Sequence, residues 1–130
     1  ICCRPDHPLT HHDQVTAQAL FAYPLAATQL PQKIESELNS LSGREQPINI
    51  QCDNFMVLKA LVAQSDVLAM ALWDVVAEDV AAGRLDILRL ERGIFQQTSA
   101  YGLVSRAGHT LSPAAQMLRK HVLEDETAAN

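Results

Sequence analysis

The sequence predicts an α/β fold in which a mostly parallel sheet is covered by helices on both faces. Apolar runs that alternate like strands trade places with segments of helical spacing about every 10 to 15 residues, the rhythm of βαβ units. VLAMAL, residues 67–72, is apolar on both faces, as an interior parallel strand is when helices cover each side. The length, 130 residues, suits one domain or part of one, and a folded unit of this size removes roughly two-thirds of its unfolded surface from water.

ICCR, residues 1–4, is a short strand stopped by Pro5. HPLTHHDQVTAQALFAYP, residues 7–24, predicts a short helix capped by Thr10, with Val15 and Ala19 four apart on one face. YPLAAT, residues 23–28, is the second strand. Pro31 suits the first turn of the next helix, where its missing N–H would be unpaired anyway. Ile34, Leu38 and Leu41 form that helix's apolar stripe, and Gly43 stands where a left-handed stop is wanted. PINIQC, residues 47–52, alternates Ile48 and Ile50 with polar neighbours as a third strand, and Phe55, Leu58, Leu61 and Val62 follow at helical spacing. After VLAMAL, WDVVAEDVAAG is a helix carrying Val76 and Val80 and closed by Gly83. RLDILRL, residues 84–90, alternates as another strand with Leu85, Ile87, Leu88 and Leu90. Glu91 to Ser99 reads as a polar loop and Tyr101 to Arg106 as one more strand. The last helix has Ser112 as cap, Pro113 at its first position, and Ala114, Leu118 and Val122 on one face. Glu124 to Asn130 is an acidic tail expected to fray. The whole is Rossmann-like.

Composition removes several function classes. Hydrophobic residues are 48% and charged residues 19%, a globular balance. No apolar run approaches the roughly 20 residues that cross a bilayer, so no membrane partner is expected. Net charge is -5 and the ten cations are scattered, whereas phosphate binding needs them clustered. Aromatics at 5% also leave few platforms for stacking bases. This stretch is therefore not expected to bind duplex DNA. Cys2, Cys3 and Cys52 have no C-x-x-C spacing and read as buried reduced thiols, which suits a reducing cytoplasm. No basic region followed by an apolar core marks a secretory signal, although a fragment could have lost one.

No catalytic constellation emerges. His7, His11 and His12 with Asp6 and Asp13 are the densest metal-capable group, but no second cluster completes a ligand set, so a solvated loop and no metal or cofactor is the expectation. Nucleophile elbows, Gly-rich phosphate loops and H-E-x-x-H are missing. Asp74, Glu78 and Asp79 near a helix start are expected to complement the dipole and face water. Cys52-Asp53-Asn54 has two readings. Its carboxylate or amide caps the helix that follows, or it edges a pocket beyond the carboxyl end of a strand, where ligands bind in open α/β sheets.

RPDHPL at 4–9, YPL at 23–25, NFMVLKALVAQSDVLAMAL at 54–72, AAGRL at 81–85 and YGLVSRAGHTLSPAA at 101–115 occur in an order that resembles the LysR-type transcriptional regulators. The resemblance covers nearly the whole chain and corresponds to roughly the second half of that family's effector-binding domain, which is similar to type II periplasmic binding proteins. It implies that residues 1–100 form the second effector-binding subdomain. Residues 101–130 would supply the hinge strand, C-terminal helix and acidic tail that return to the first subdomain. The helix-turn-helix, linker helix and first subdomain have no counterpart here. Many members have a glycine pair before the strand at 67–72 and a proline directly after it, where this chain has Ser65-Asp66-Val67 and Leu72-Trp73.

By the same resemblance, Thr28 and Gln29 after the second strand, and Asp53, Asn54 and Phe55 at a helix start, would line one wall of a cleft for a small-molecule effector. The expected function is effector sensing by a non-enzymatic domain that repositions DNA-binding heads carried elsewhere, in a cytoplasmic homodimer or higher oligomer. A ligand achieves this only through different affinity for the two arrangements. A solute-binding protein of a transport system shares the architecture and is the alternative, and an α/β enzyme with its catalytic groups outside this stretch is a third reading.

Overall fold

The computed structural model of the chain describes residues 1–95 and 102–128. It divides into two compact units, Ile1–Gln96 and Gln97–Asn130.

The first unit is built on a five-stranded sheet: β1 (Cys2–Cys3), β2 (Leu25–Ala27), β3 (Ile50–Gln51), β4 (Leu68–Ala69) and β5 (Asp86–Ile87), in spatial order β3-β2-β4-β1-β5. β2 runs parallel to both β3 and β4. β1 is antiparallel to β4 and β5, so it is reversed among strands that otherwise point one way. The sheet is thus mixed and mostly parallel, as expected. Handedness explains where the helices lie. A parallel crossover is nearly always right-handed, and the chain moves outward from β2 to β3, then back across β2 to β4. Those opposite directions put α2 (Gln32–Ser42) and α3 (Phe55–Ala63) on opposite faces. The step from β4 to β5 continues in the second direction, so α4 (Trp73–Ala81) shares the face of α3.

Each face has its own core. On one, Leu20 of α1 (Ala17–Leu20) and Leu38 of α2 pack with Cys3, Leu25 and Leu68. On the other, Leu58 and Val62 of α3 and Val76 of α4 pack with Cys2, Ala26 and Ala69. Neighbouring residues of each strand go to opposite faces, as the pleat requires. The registers Ala26↔Ala69 and Cys2↔Ala69 line the short side chains into one row under α3 and α4. Cys2 and Cys3 are buried free thiols whose Sγ atoms face the carbonyls of Ala69 and Asp86, and burial pushes the Cys3 thiol up to about 12. Cys52 is a free thiol too, but half-buried.

Several local expectations need correction. Residues 7–24 do not make one helix capped by Thr10. A 3-10 turn, Pro8–His11, is capped by His7, and α1 starts only at Ala17, where Thr16 Oγ1 accepts from Ala19 N at 3.2 Å. Between them Val15 leaves helical geometry to bridge Leu90. Pro31 is the N-cap of α2 rather than its first turn, while Gly43 takes the left-handed stop at φ 64°.

In the second unit, α5 spans Pro113–Ala128, with Ser112 Oγ accepting from Ala115 N at 3.2 Å. Gly102 to Arg106 form no strand, and Tyr101 of that expected strand lies outside the described residues. Glu124 to Ala128, expected to fray, continue α5, and Ala129 and Asn130 lie outside the described residues. Of the expected loop Glu91 to Ser99, residues 96–99 also lie outside.

Candidate functional site

Because β2, β3 and β4 are parallel, their carboxyl ends open on one edge of the sheet. Thr28 and Gln29 leave β2 there, Asp53 and Asn54 leave β3, and Leu72 leaves β4. Within Cys52-Asp53-Asn54 the two polar side chains, Asp53 and Asn54, do different things. Asn54 is the cap: its Oδ1 accepts from Met56 N at 2.9 Å and Val57 N at 3.3 Å. Asp53 does something else. Its Oδ1 accepts from Gln29 N at 3.2 Å and ties the loop after β3 to the loop after β2. Phe55 is half-buried and packs on the core beneath α3. Thr28 is also half-buried, and lines a cavity of about 360 Å³ on the α2 side with Glu35, Asn39, Glu45 and Gln51. Thr28, Gln29, Asp53 and Asn54 therefore share one edge, but only Gln29 and Asp53 are bonded to each other.

The start of α4 adds what the sequence reading missed. Leu72 occupies its N-cap with no side-chain bond, and Leu72 and Trp73 are 50% and 60% exposed. Met56 and Val57 in the first turn of α3 are 71% and 53% exposed. A signal was present, since an N-cap position normally takes a small polar residue and this one is leucine before tryptophan. Lys59 holds the two helices together, its Nζ donating to Val75 O at 3.3 Å and pairing with Asp79 Oδ2 at 2.7 Å.

Two ionisable groups sit differently from expectation. Asp79 does not simply face water. Lys59 and Arg84 both hydrogen-bond its carboxylate, at 2.7 Å each, and hold its carboxyl below the usual range. His7 is fully buried rather than part of a solvated loop, its ring edge-on to Tyr23 at 4.6 Å. Among the described residues, no three His, Cys, Asp or Glu side chains are grouped to hold a metal ion. No helix of the described residues is long and apolar enough to cross a membrane.

The sequence profile described as the LysR substrate binding domain matches residues 1–126. The chain belongs to that family. A LysR substrate-binding domain is the ligand-sensing, regulatory part of a transcriptional regulator, and the mixed, mostly parallel sheet accords with the type II periplasmic-binding-protein-like fold expected of it. A curated relative named "SDS degradation transcriptional activation protein", from Pseudomonas sp. (strain ATCC 19151), is 56% identical over 128 residues, covering 97% of this chain. This LysR domain spans 42% of that relative's length. A relative named for transcriptional activation favours regulation over the solute-transport alternative. No solved structure matches the chain.

Proposed function

We propose that this LysR domain is the second effector-binding subdomain of a non-enzymatic transcriptional regulator, and that its effector is an alkyl sulfate or an early breakdown product that keeps the alkyl chain. The observation that carries the site is the shared carboxyl edge, where the Asp53–Gln29 bond joins the loops after β2 and β3 into one wall. Thr28, Gln29, Asp53, Asn54 and Phe55 belong to that wall. The effector class is supported by the relative's name, which refers to SDS degradation, at 56% identity.

Residues 1–100 supply the wall, and 101–130 return to a first subdomain carried by the longer protein. DNA contact belongs to a helix-turn-helix in that longer protein, since net charge here is -5 with dispersed cations. The regulator works in the cytoplasm as a homodimer or higher oligomer. Supporting assembly, Met117, Leu118 and Leu123 of α5 are 50% exposed or more, and exposed apolar groups that cluster tend to find partners.

The test is calorimetric titration of the full-length regulator with sodium decyl sulfate below its micelle concentration, and with decanol. Saturable binding at one site per protomer, weakened by Thr28→Ala, is the expected result. No saturable binding of either compound refutes the effector class. Binding that Thr28→Ala, Asp53→Ala and Gln29→Ala all leave unchanged refutes the wall.

A further inference from the structure

Resting on that effector reading, we infer that the first turns of α3 and α4 form a shelf for the effector's alkyl chain, with Met56 and Trp73 determining which chain lengths bind. Single exposed apolar side chains are ordinary on a protein surface. Here Met56, Val57, Leu72 and Trp73, each at least half exposed, stand at the starts of α3 and α4. Adjacency follows from Lys59, which bonds the carbonyl of Val75 in the first turn of α4. Lys59 is three residues after Met56 and so lies on the same helix face. Met56 therefore shares the α3 face from which Lys59 reaches the first turn of α4.

Charge decides which end of an amphiphile this shelf accepts. The ionisable groups near these turns are Asp53 and Asp74, both exposed carboxylates, and Lys59, whose ammonium is already paired with Asp79. A sulfate headgroup placed there would meet like charge. The donors of α3 are not waiting for it either, because Asn54 already takes the Met56 and Val57 N–H groups. The shelf therefore holds the uncharged tail, and the head points away from the Asp53 and Asp74 carboxylates.

The experiment is calorimetry on the full-length regulator with hexyl, octyl and decyl sulfate, each below its micelle concentration. Each tail methylene fully buried against the shelf gains about fourfold in affinity. The parent protein should show that slope, about 200-fold from hexyl to decyl sulfate. Trp73→Ala and Met56→Ala, both at exposed positions, should fold normally and flatten the slope to about twofold or less per methylene. Thr28→Ala should weaken all three ligands by the same factor. A parental slope that survives in both shelf variants overturns the shelf and leaves the effector reading standing. Failure of the parent protein to bind any of the three overturns the shelf, and failure to bind decanol as well overturns the effector reading. Should the shelf be covered by the rest of the longer chain, Trp73→Ala would lower the melting temperature without changing the slope, which also overturns the proposal.

Discussion

Acid should weaken the first unit through one buried imidazole. His7 is 0% exposed; its Nδ1 accepts from Leu9 N at 3.1 Å, and its Nε2 lies 3.3 Å from Asp66 O. A neutral ring with its proton on Nε2 satisfies both contacts, whereas a second proton on Nδ1 would face the Leu9 N–H, donor against donor. Burial is the main reason its pKa lies below the ordinary 6.5, and the nearby Arg4 pushes the same way against the opposing pull of Asp66. Since the folded value is the lower one, the unfolded chain takes up the proton first as pH falls. The stabilisation is complete above the unfolded value of 6.5 and is lost as pH drops below it toward the folded value. One proton gives a limiting slope of about 1.4 kcal/mol per pH unit. His7→Phe keeps the ring but strands the Leu9 donor and the Asp66 carbonyl. At about 1–3 kcal/mol for each buried unpaired group, and with Asp66 partly reached by water, the variant should lose roughly 2–4 kcal/mol at pH 8. Urea unfolding followed by circular dichroism, at half-unit steps from pH 8 to 5, measures both effects. Groups common to parent and variant cancel in the comparison. Equal pH slopes in parent and variant, or a variant as stable as the parent at pH 8, would refute the buried, neutral imidazole.

Three further outcomes follow from contacts described above. Asn54→Ala removes an acceptor serving two N–H groups and should cost about 1 kcal/mol, a loss of a few degrees in melting temperature, while Thr28→Ala should cost less stability but more effector affinity; thermal melts paired with calorimetry would expose a reversed order. Ala69→Leu should destabilise by about 1–3 kcal/mol because the added carbons push against Leu58 and Val62, and an unchanged urea midpoint would contradict the close packing of α3 on the sheet. Lys59 and Arg84 lower the Asp79 pKa, so the stability it gives is present above its ordinary 3.8 and lost as pH falls below it. Parent and Asp79→Asn should therefore converge in urea stability on acidification from pH 5 to 3, and a constant gap would refute the pairing.

Much of this architecture was legible because its signals are local. Ile34, Leu38 and Leu41 on α2, Gly43 at its end, and Ser112 before α5 each state their role within a few residues. The direction of β1 was not legible, since alternation in a run as short as ICCR reads the same both ways and only pairing with β4 and β5 sets its sense. Gly102 to Arg106 show why a strand pattern alone does not make a strand: a ladder needs a partner, and no described residue supplies one. His7 was misread because a histidine in a polar string looks solvated until Asp66 and Tyr23, far along the chain, close over it. At the candidate site, residue types announced the Asn54 cap. They could not announce that Asp53 reaches 24 residues back to Gln29, because that bond exists only through the parallel pairing of β2 with β3.

The row of short side chains under α3 and α4 separates two kinds of inheritance in this sheet. On the other face Leu25 and Leu68 fill space, so changes there alter how firmly the unit is held together. Beneath α3 and α4, Cys2, Ala26 and Ala69 act as a spacer, and each carbon added to that row raises the helices bearing Met56 and Trp73 by a fraction of an atom's width. On the proposed shelf reading, these three positions adjust the height of Met56 and Trp73 without replacing either. Divergence hidden in the floor of the sheet, more than divergence along its rim, is then where relatives of altered effector preference should be sought.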